Sequence, residues 1–334
     1  FLFIPAAYSR TYILLLLGLF IMGGGLAILQ TASNPYITIL GPVETAARRI
    51  SIMGICNKFA GALAPIILGY FLKLDEADKV KNQLANMTPE ESSIALDKIA
   101  LQVVNPYIGN VGVLNILAFW ISKSNLPEVK GDEEEDASHH NLTESKHSIF
   151  DFPHVLLGFI ALFAYVGVEV LAGDTIIAYG TFLGIPLTTA KFFTSFTMGS
   201  MVVGYIIGII AIPKYLSQET ALKLCAILGI ILTVGIILTD GMVSLTLVGL
   251  LGLANSLVWP AIWPLALKGV GKFTSAASGI LVMGIAGGAV IPLLYGALSH
   301  SVGAHQAYWI ALPCYLYILY YAISGHKVRK KTQA

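Results

Sequence analysis

VLLGFIALFAYVGVEVLAGDTIIAYGTFL, residues Val155 to Leu183, is long and apolar enough to cross a bilayer as one helix, yet it carries two carboxylates, Glu169 and Asp174. A helix needs about 20 apolar residues to span a hydrocarbon core of about 30 Å. An ionised acid at that depth costs about 2.5 to 3.5 kcal/mol even on the lenient insertion scale, which marks both acids as functional candidates. A buried ion pair, or a hydrogen-bonded protonated acid that only braces the helices, is the alternative for each. The five-residue separation places them about 140° apart around the helix, so they need not share one site.

The rest of the chain repeats this apolar pattern. Of its 334 residues, 56% are hydrophobic and only 12% charged, against about 25% charged in a soluble domain. The chain reads as an integral, all-α membrane protein. Apolar runs of spanning length cover Tyr12 to Ala32, Ile50 to Leu72, Pro106 to Ile121, Val155 to Leu183, Thr188 to Ile212, Ala221 to Leu238, Met242 to Leu267, Ser275 to Leu298 and Ala307 to Ser324. A further run, Phe1 to Ala7, has the form of the tail of a span that begins earlier. The net charge of +1 gives no sign of a nucleic-acid partner. Cys56, Cys225 and Cys314 each fall inside a predicted helix without metal-ligand or redox-pair spacing, and read as small apolar fillers.

The few charges lie mostly in the breaks. Alternate breaks hold Arg48/Arg49, Lys123/Lys130, Lys214/Lys223 and Lys268/Lys272, and the tail holds Lys327, Arg329, Lys330 and Lys331. Positive charge collects on the cytoplasmic side, so the carboxyl terminus is expected there. The long break from Lys73 to Asn105 is then external. The acidic stretch from Ser122 to Pro153 reads as a cytoplasmic linker, dividing the chain into a helical bundle at 1–122, the linker at 123–152 and a six-helix bundle at 153–334. Its His139 and His140 suit solvated loop residues better than a metal site, and the sequon at Asn141 lies on the cytoplasmic side.

One internal repeat is visible. GALAPIILG at Gly61 to Gly69 matches GAVIPLLYG at Gly288 to Gly296 at an offset of 227 residues. Parallel repeats of six helices are the sequence trace of the major facilitator architecture. Applied to the spans starting near Val155, Thr188 and Ala221, the offset places the starts of their partners before residue 1, the last ending close to residue 11, where the run Phe1 to Ala7 lies. A twelve-helix protein is expected, with the first two helices and most of the third absent from this sequence.

Several polar residues inside the spans fall at helical spacing. Gln30 and Asn34 share one face ahead of Pro35, where the helix can loosen. Asn57 and Lys58 give the next span an amide and a buried cation that can also snorkel to the interface. Asn255, Trp259 and Trp263 are successive i to i+4 neighbours. Amides hydrogen-bond hydroxyls in both directions and indoles cover apolar C–H faces, which is what a sugar requires. Interhelical bonding explains Gln30 and Asn34 equally simply, and an interfacial aromatic belt does the same for the tryptophans. The glycine clusters Gly23 to Gly25, Gly204 to Gly208 and Gly284 to Gly288 read as packing devices, since no strand precedes them.

FIPAA at Phe3 to Ala7, LQTASNPYITILGP at Leu29 to Pro42, CNKFAGALAPIILG at Cys56 to Gly69, YVGVEV at Tyr165 to Val170 and WPAIWPLALKGVG at Trp259 to Gly271 together resemble the fucose, glucose and galactose permease family of the major facilitator superfamily. By this resemblance the span from Tyr12 is the family's fourth helix and Val155 begins the seventh. Asn57 matches a family sugar-site asparagine, while Gly54 stands where the fucose permease has a glutamine. Gln30 replaces a fourth-helix glutamate of the fucose permease. Glu169 matches the glutamate of the glucose and galactose branch, and Asp174 matches neither pattern.

The resemblance implies a monomeric symporter of a bacterial inner membrane, importing a glucose- or galactose-like sugar with a cation, proton or sodium, and using no cofactor. Gln30, Asn34, Asn57, Asn255, Trp259 and Trp263 are then the substrate-binding candidates, and Glu169 and Asp174 the cation-coupling candidates. A proton-coupled exporter of an amphiphilic compound is the alternative. An intramembrane enzyme is disfavoured, because no His or Cys cluster accompanies the acids.

Overall fold

The computed structural model describes residues 1–72, 87–102, 104–124, 148–185 and 187–328, and every regular element among them is helical. In chain order the α-helices are α1 (Phe3–Ser9), α2 (Tyr12–Ile39), α3 (Ala46–Leu72), α4 (Pro89–Gln102), α5 (Val104–Lys123), α6 (Pro153–Phe182), α7 (Leu187–Ala211), α8 (Gln218–Leu238), α9 (Gly241–Asn255), α10 (Val258–Leu267), α11 (Thr274–Met283), α12 (Gly287–Val302) and α13 (Ala311–Ile323). Eight helical stretches among the described residues are long and apolar enough to cross a membrane. His139, His140, Asn141, Lys73, Arg329, Lys330 and Lys331 lie outside the described residues.

The apolar runs all fall on helices, but three are not single α-helices, the run from Ala307 opening in a 3-10 segment over Gln306–Ile310 before α13. The run from Met242 divides into α9 and α10 around Ser256 and Leu257. Pro260 explains the break, since it has no N–H to offer the carbonyl four residues back, at Ser256. The run from Ser275 divides into α11 and α12 across a 3-10 turn at Gly284–Ala286. The break expected from Lys73 to Asn105 also contains a helix, α4, in its described part. Its start has a reciprocal cap: the Thr88 N–H donates to Glu91 Oε2 at 3.0 Å and the Glu91 N–H donates to Thr88 Oγ1 at 3.3 Å, with Pro89 as the first helical residue.

The chain forms two compact units, Phe1–Leu29 with Ala60–Val129, and Gln30–Phe59 with Lys130–Ala334. In the first unit α1 packs on α4 and α5. Arg10 holds Asp97 at 2.5 Å and donates to the Ser93 carbonyl at 3.1 Å, while Phe3 stacks on Tyr107 with ring centroids 4.4 Å apart.

In the second unit α6 packs against α7, α9, α10, α11, α12 and α13. Side chains such as Ile207, Ile210, Ile231 and Leu293 point outward and exposed, as expected where the solvent is lipid. Lipid gives helices no hydrophobic reason to associate, so close van der Waals contact must hold them. Two glycines provide it. A Cβ on Gly287 of α12 would collide with the Phe163 carbonyl of α6, and one on Gly252 of α9 would collide with the Thr197 carbonyl of α7.

The end of α2 is held differently. Arg49, in the first turn of α3, donates Nε to the Ile37 carbonyl at 2.9 Å and Nη2 to the Thr38 carbonyl at 2.7 Å. It also donates to the carbonyls of Gly41 at 3.2 Å and Pro42 at 3.1 Å. One guanidinium thus satisfies carbonyls that a helix terminus otherwise leaves unpaired.

Gly287→Ala is expected to destabilise the protein by about 1 to 3 kcal/mol, because the obstructing atom is backbone and cannot rotate away. Gly296→Ala, where a Cβ meets nothing within 4 Å, is expected to be neutral or stabilising by up to about 1 kcal/mol. Thermal unfolding of both variants in detergent checks the contrast.

Candidate functional site

Tyr165 and Glu169 are one helical turn apart on α6 and therefore share a face. Gly54 and Lys58 bear the same relation on α3. The second unit brings these two faces together. Lys58 Nζ donates to Glu169 Oε1 in an ion pair, and each side chain retains only 16% of its accessible surface. Glu169 lies near the middle of α6, where an unpaired charge would be costly. Unit charges about 4 Å apart attract by about 4 kcal/mol at an effective dielectric of about 20, which offsets part of their desolvation.

Tyrosines line the pair. The Tyr205 ring, from α7, lies flat against α3, so that a Cβ on Gly54 would sit 2.7 Å from Tyr205 Cζ. The phenols of Tyr165, Tyr205 and Tyr315 all lie within electrostatic range of Glu169. Tyr165 also meets the Trp259 ring at a centroid distance of 6.3 Å and an angle of 49°. Trp259 stacks on Trp263 at 5.3 Å and 22°. The two indoles differ in access. Trp263 is wholly buried with its Nε1 unpartnered, which is inconsistent with an interfacial belt, whereas Trp259 is partly accessible.

The remaining candidates are less uniformly gathered. Asn255 is the last residue of α9 and fully buried; its Oδ1 accepts from the Tyr315 hydroxyl at 2.8 Å, and its Nδ2 has no partner. The turn at Ser256 and Leu257 separates Asn255 from Trp259, while Trp259 and Trp263 keep their four-residue spacing within α10. Gln30 and Asn34 do share a face: Asn34 Nδ2 donates to Gln30 Oε1 at 3.1 Å and to the Gln30 carbonyl at 3.0 Å. Asn34 is buried and its Oδ1 is unpartnered. Helix α2 continues through Pro35 rather than loosening there.

Asn57 is exposed and points about 100° away from Lys58 around α3, so the structure does not bring it to the ion pair. Asp174 is also exposed, outside the hydrogen-bonded pair but within electrostatic range of both Glu169 and Lys58. No group of three or more His, Cys, Asp or Glu among the described residues could hold a metal. Sequence reasoning missed Tyr165, Tyr205 and Tyr315 as companions of the acid. The four-residue spacing of Tyr165 from Glu169 and of Gly54 from Lys58 was the available signal.

The sequence pattern of the Major Facilitator Superfamily matches residues 1–292. A protein of Brucella abortus named as a glucose/galactose transporter is 35% identical over 330 residues, covering 98% of this chain and 75% of that protein. The L-fucose-proton symporter of Escherichia coli is 29% identical over 306 residues, covering 90% of this chain and 69% of that protein. A crystal structure of the E. coli fucose:proton symporter superposes with a TM-score of 0.81 at 27% identity, covering 99% of this chain and 80% of that one.

Removing one member of the ion pair leaves the other charge uncompensated. Glu169→Gln is expected to cost about 2 to 3 kcal/mol, below the range for a fully sealed pair because some water reaches this one. Combining it with Lys58→Met should recover at least half of that loss, giving a coupling energy of about 1 to 3 kcal/mol in a double-mutant cycle read by thermal unfolding. Simple additivity of the two single effects would show that the pair contributes nothing.

Proposed function

Because the chain belongs to the major facilitator superfamily, a family of multi-pass membrane transporters and not of enzymes, we propose that it imports a glucose- or galactose-like monosaccharide together with a cation by alternating access. The observation that carries this reading is the Lys58–Glu169 pair flanked by Tyr165 and the partly accessible indole of Trp259. An aromatic face covers the C–H side of a pyranose, and charged and amide groups bond its hydroxyls. The naming of relatives as glucose/galactose and fucose transporters supports a sugar as the cargo.

Two buried amide atoms without partners add to this. Asn34 Oδ1 is an acceptor and Asn255 Nδ2 a donor, and a sugar hydroxyl can serve either. Gln30 holds the Asn34 amide in place through its own side chain. Trp263 backs Trp259, and Asn57 would reach the sugar only in another state of the cycle.

Glu169 takes the role of cation-responsive acid, with proton or sodium as the coupling ion, and Asp174 contributes from a distance. Cation and sugar each favour the occluded state, so each must raise the affinity for the other by the same factor. The protein then acts as a monomer in a bacterial inner membrane with a cytoplasmic carboxyl terminus.

Counterflow of labelled glucose and galactose in proteoliposomes, with and without imposed proton or sodium gradients, tests the reading. Accumulation driven by one of the two gradients is expected. Counterflow without gradient-driven accumulation would make the protein a facilitator, and no counterflow would point to another cargo, such as an exported amphiphile. Trp259→Leu is expected to raise the half-saturating sugar concentration about 3- to 10-fold, the loss of about 0.5 to 1.5 kcal/mol of aromatic contact.

A further inference from the structure

The ion pair joins α3, which precedes the acidic linker in sequence, to α6, which follows it. Its two members are unequal in the motion open to them. Glu169 sits mid-helix on a short side chain, among the phenols of Tyr165, Tyr205 and Tyr315. Lys58 is a compact point charge on a flexible four-carbon stem, able to release its partner and extend towards water. An arginine would hold the carboxylate through a planar fork and exchange less readily.

The local charge is also unbalanced. Lys58 pairs with Glu169, and Asp174, exposed elsewhere on α6, lies within electrostatic range of both, so the three carry one negative charge in excess when all are ionised. One monovalent cation balances them. Each paired side chain keeps 16% of its surface accessible, so the pair is not sealed.

We propose that Lys58 is a tethered competitor for the coupling cation at Glu169: its ammonium occupies the carboxylate when no cation is bound, and the incoming cation displaces it. The inference rests on the cation-coupled reading above and deepens it by naming the group that sets cation affinity. Displacement breaks a contact between α3 and α6, which couples occupancy by the ion to the freedom of these two helices to separate. The Tyr205 ring lodged against Gly54 keeps a phenol beside the carboxylate after the ammonium leaves. No covalent bond changes; one cation replaces another on the same oxygen.

The titratable and charged groups around Glu169 are Lys58 on α3, Tyr165 and Asp174 on α6, Tyr205 on α7 and Tyr315 on α13. Asp174 is the other carboxylate of this group, and its charge acts on both members of the pair. Asp174→Asn therefore separates its contribution.

The test measures the half-saturating cation concentration of the full chain in two ways. One is hexose counterflow in proteoliposomes against sodium at fixed pH and against pH without sodium. The other is the cation-dependent rise in unfolding temperature in detergent, which needs no transport. Lys58→Met is expected to lower the half-saturating cation concentration at least 10-fold, which for protons moves the acid limb up by one pH unit or more. Lys58→Arg, a stronger competitor, is expected to raise it several-fold, and decides the matter alone if Lys58→Met fails to fold. Cation dependence equal to that of the parent in a folded Lys58 variant, with or without Asp174→Asn, overturns the proposal and makes Lys58 a brace. Loss of hexose counterflow in the parent chain itself, with a cation-dependent unfolding temperature that shifts as stated, would instead overturn the sugar reading and leave the competition intact.

Discussion

The carbonyl of Phe163 pressed against Gly287 sets the geometry on which the second unit depends. In lipid the driving force for helix association is contact itself, and contact at backbone distance requires that one partner have no side chain. Gly287 supplies that on α12 and Gly252 on α9. Gly287 brings α12 onto α6 and Gly252 brings α9 onto α7, and with α6 packed against α7, α9, α10, α11, α12 and α13 the side chains of its middle have few places to go. Tyr165 is driven onto Trp259, and Glu169 is left facing α3. The polar site is a consequence of apolar packing.

Within that frame the Lys58–Glu169 pair is a balance of two large terms. Desolvation opposes both charges, and mutual attraction at reduced dielectric compensates. Because attraction offsets only part of the desolvation, the pair depends on the closeness of its two members. Tyr165 matters for the same reason, since a neutral phenol hydrogen-bonded to Glu169 supports the carboxylate without competing for its charge.

The helices themselves were legible because a span must be long and apolar, and both properties are written along the chain. The interruptions at Ser256 and Gly284 were less so, because apolar composition continues through them while proline and glycine alter only the backbone. At the site the turn over Ser256 and Leu257 falls between Asn255, which accepts from Tyr315, and the Trp259–Trp263 stack, which keeps its four-residue spacing within α10. Glu169 and the Gln30–Asn34 face were readable from cost and spacing. The partner of Glu169 was not, because hydropathy and spacing identify Lys58 as a buried cation without saying which distant acid it meets. Arg49 shows the same limit: it reads as a side marker by charge, yet in the structure it also closes the end of α2.

The ion pair spans 111 positions of sequence, and that separation bears on how the protein is made. At about 5 to 20 residues per second, α6 leaves the ribosome on the order of ten seconds after α3. Throughout that interval the lysine of α3 has not met the carboxylate of Glu169, and a charge held in hydrocarbon without its partner is costly. The nascent helix must wait with Lys58 drawn towards the headgroups, or remain within the insertion machinery, until α6 arrives. Formation of the Lys58–Glu169 pair is thus a late event in biogenesis, since it waits for α6 to arrive.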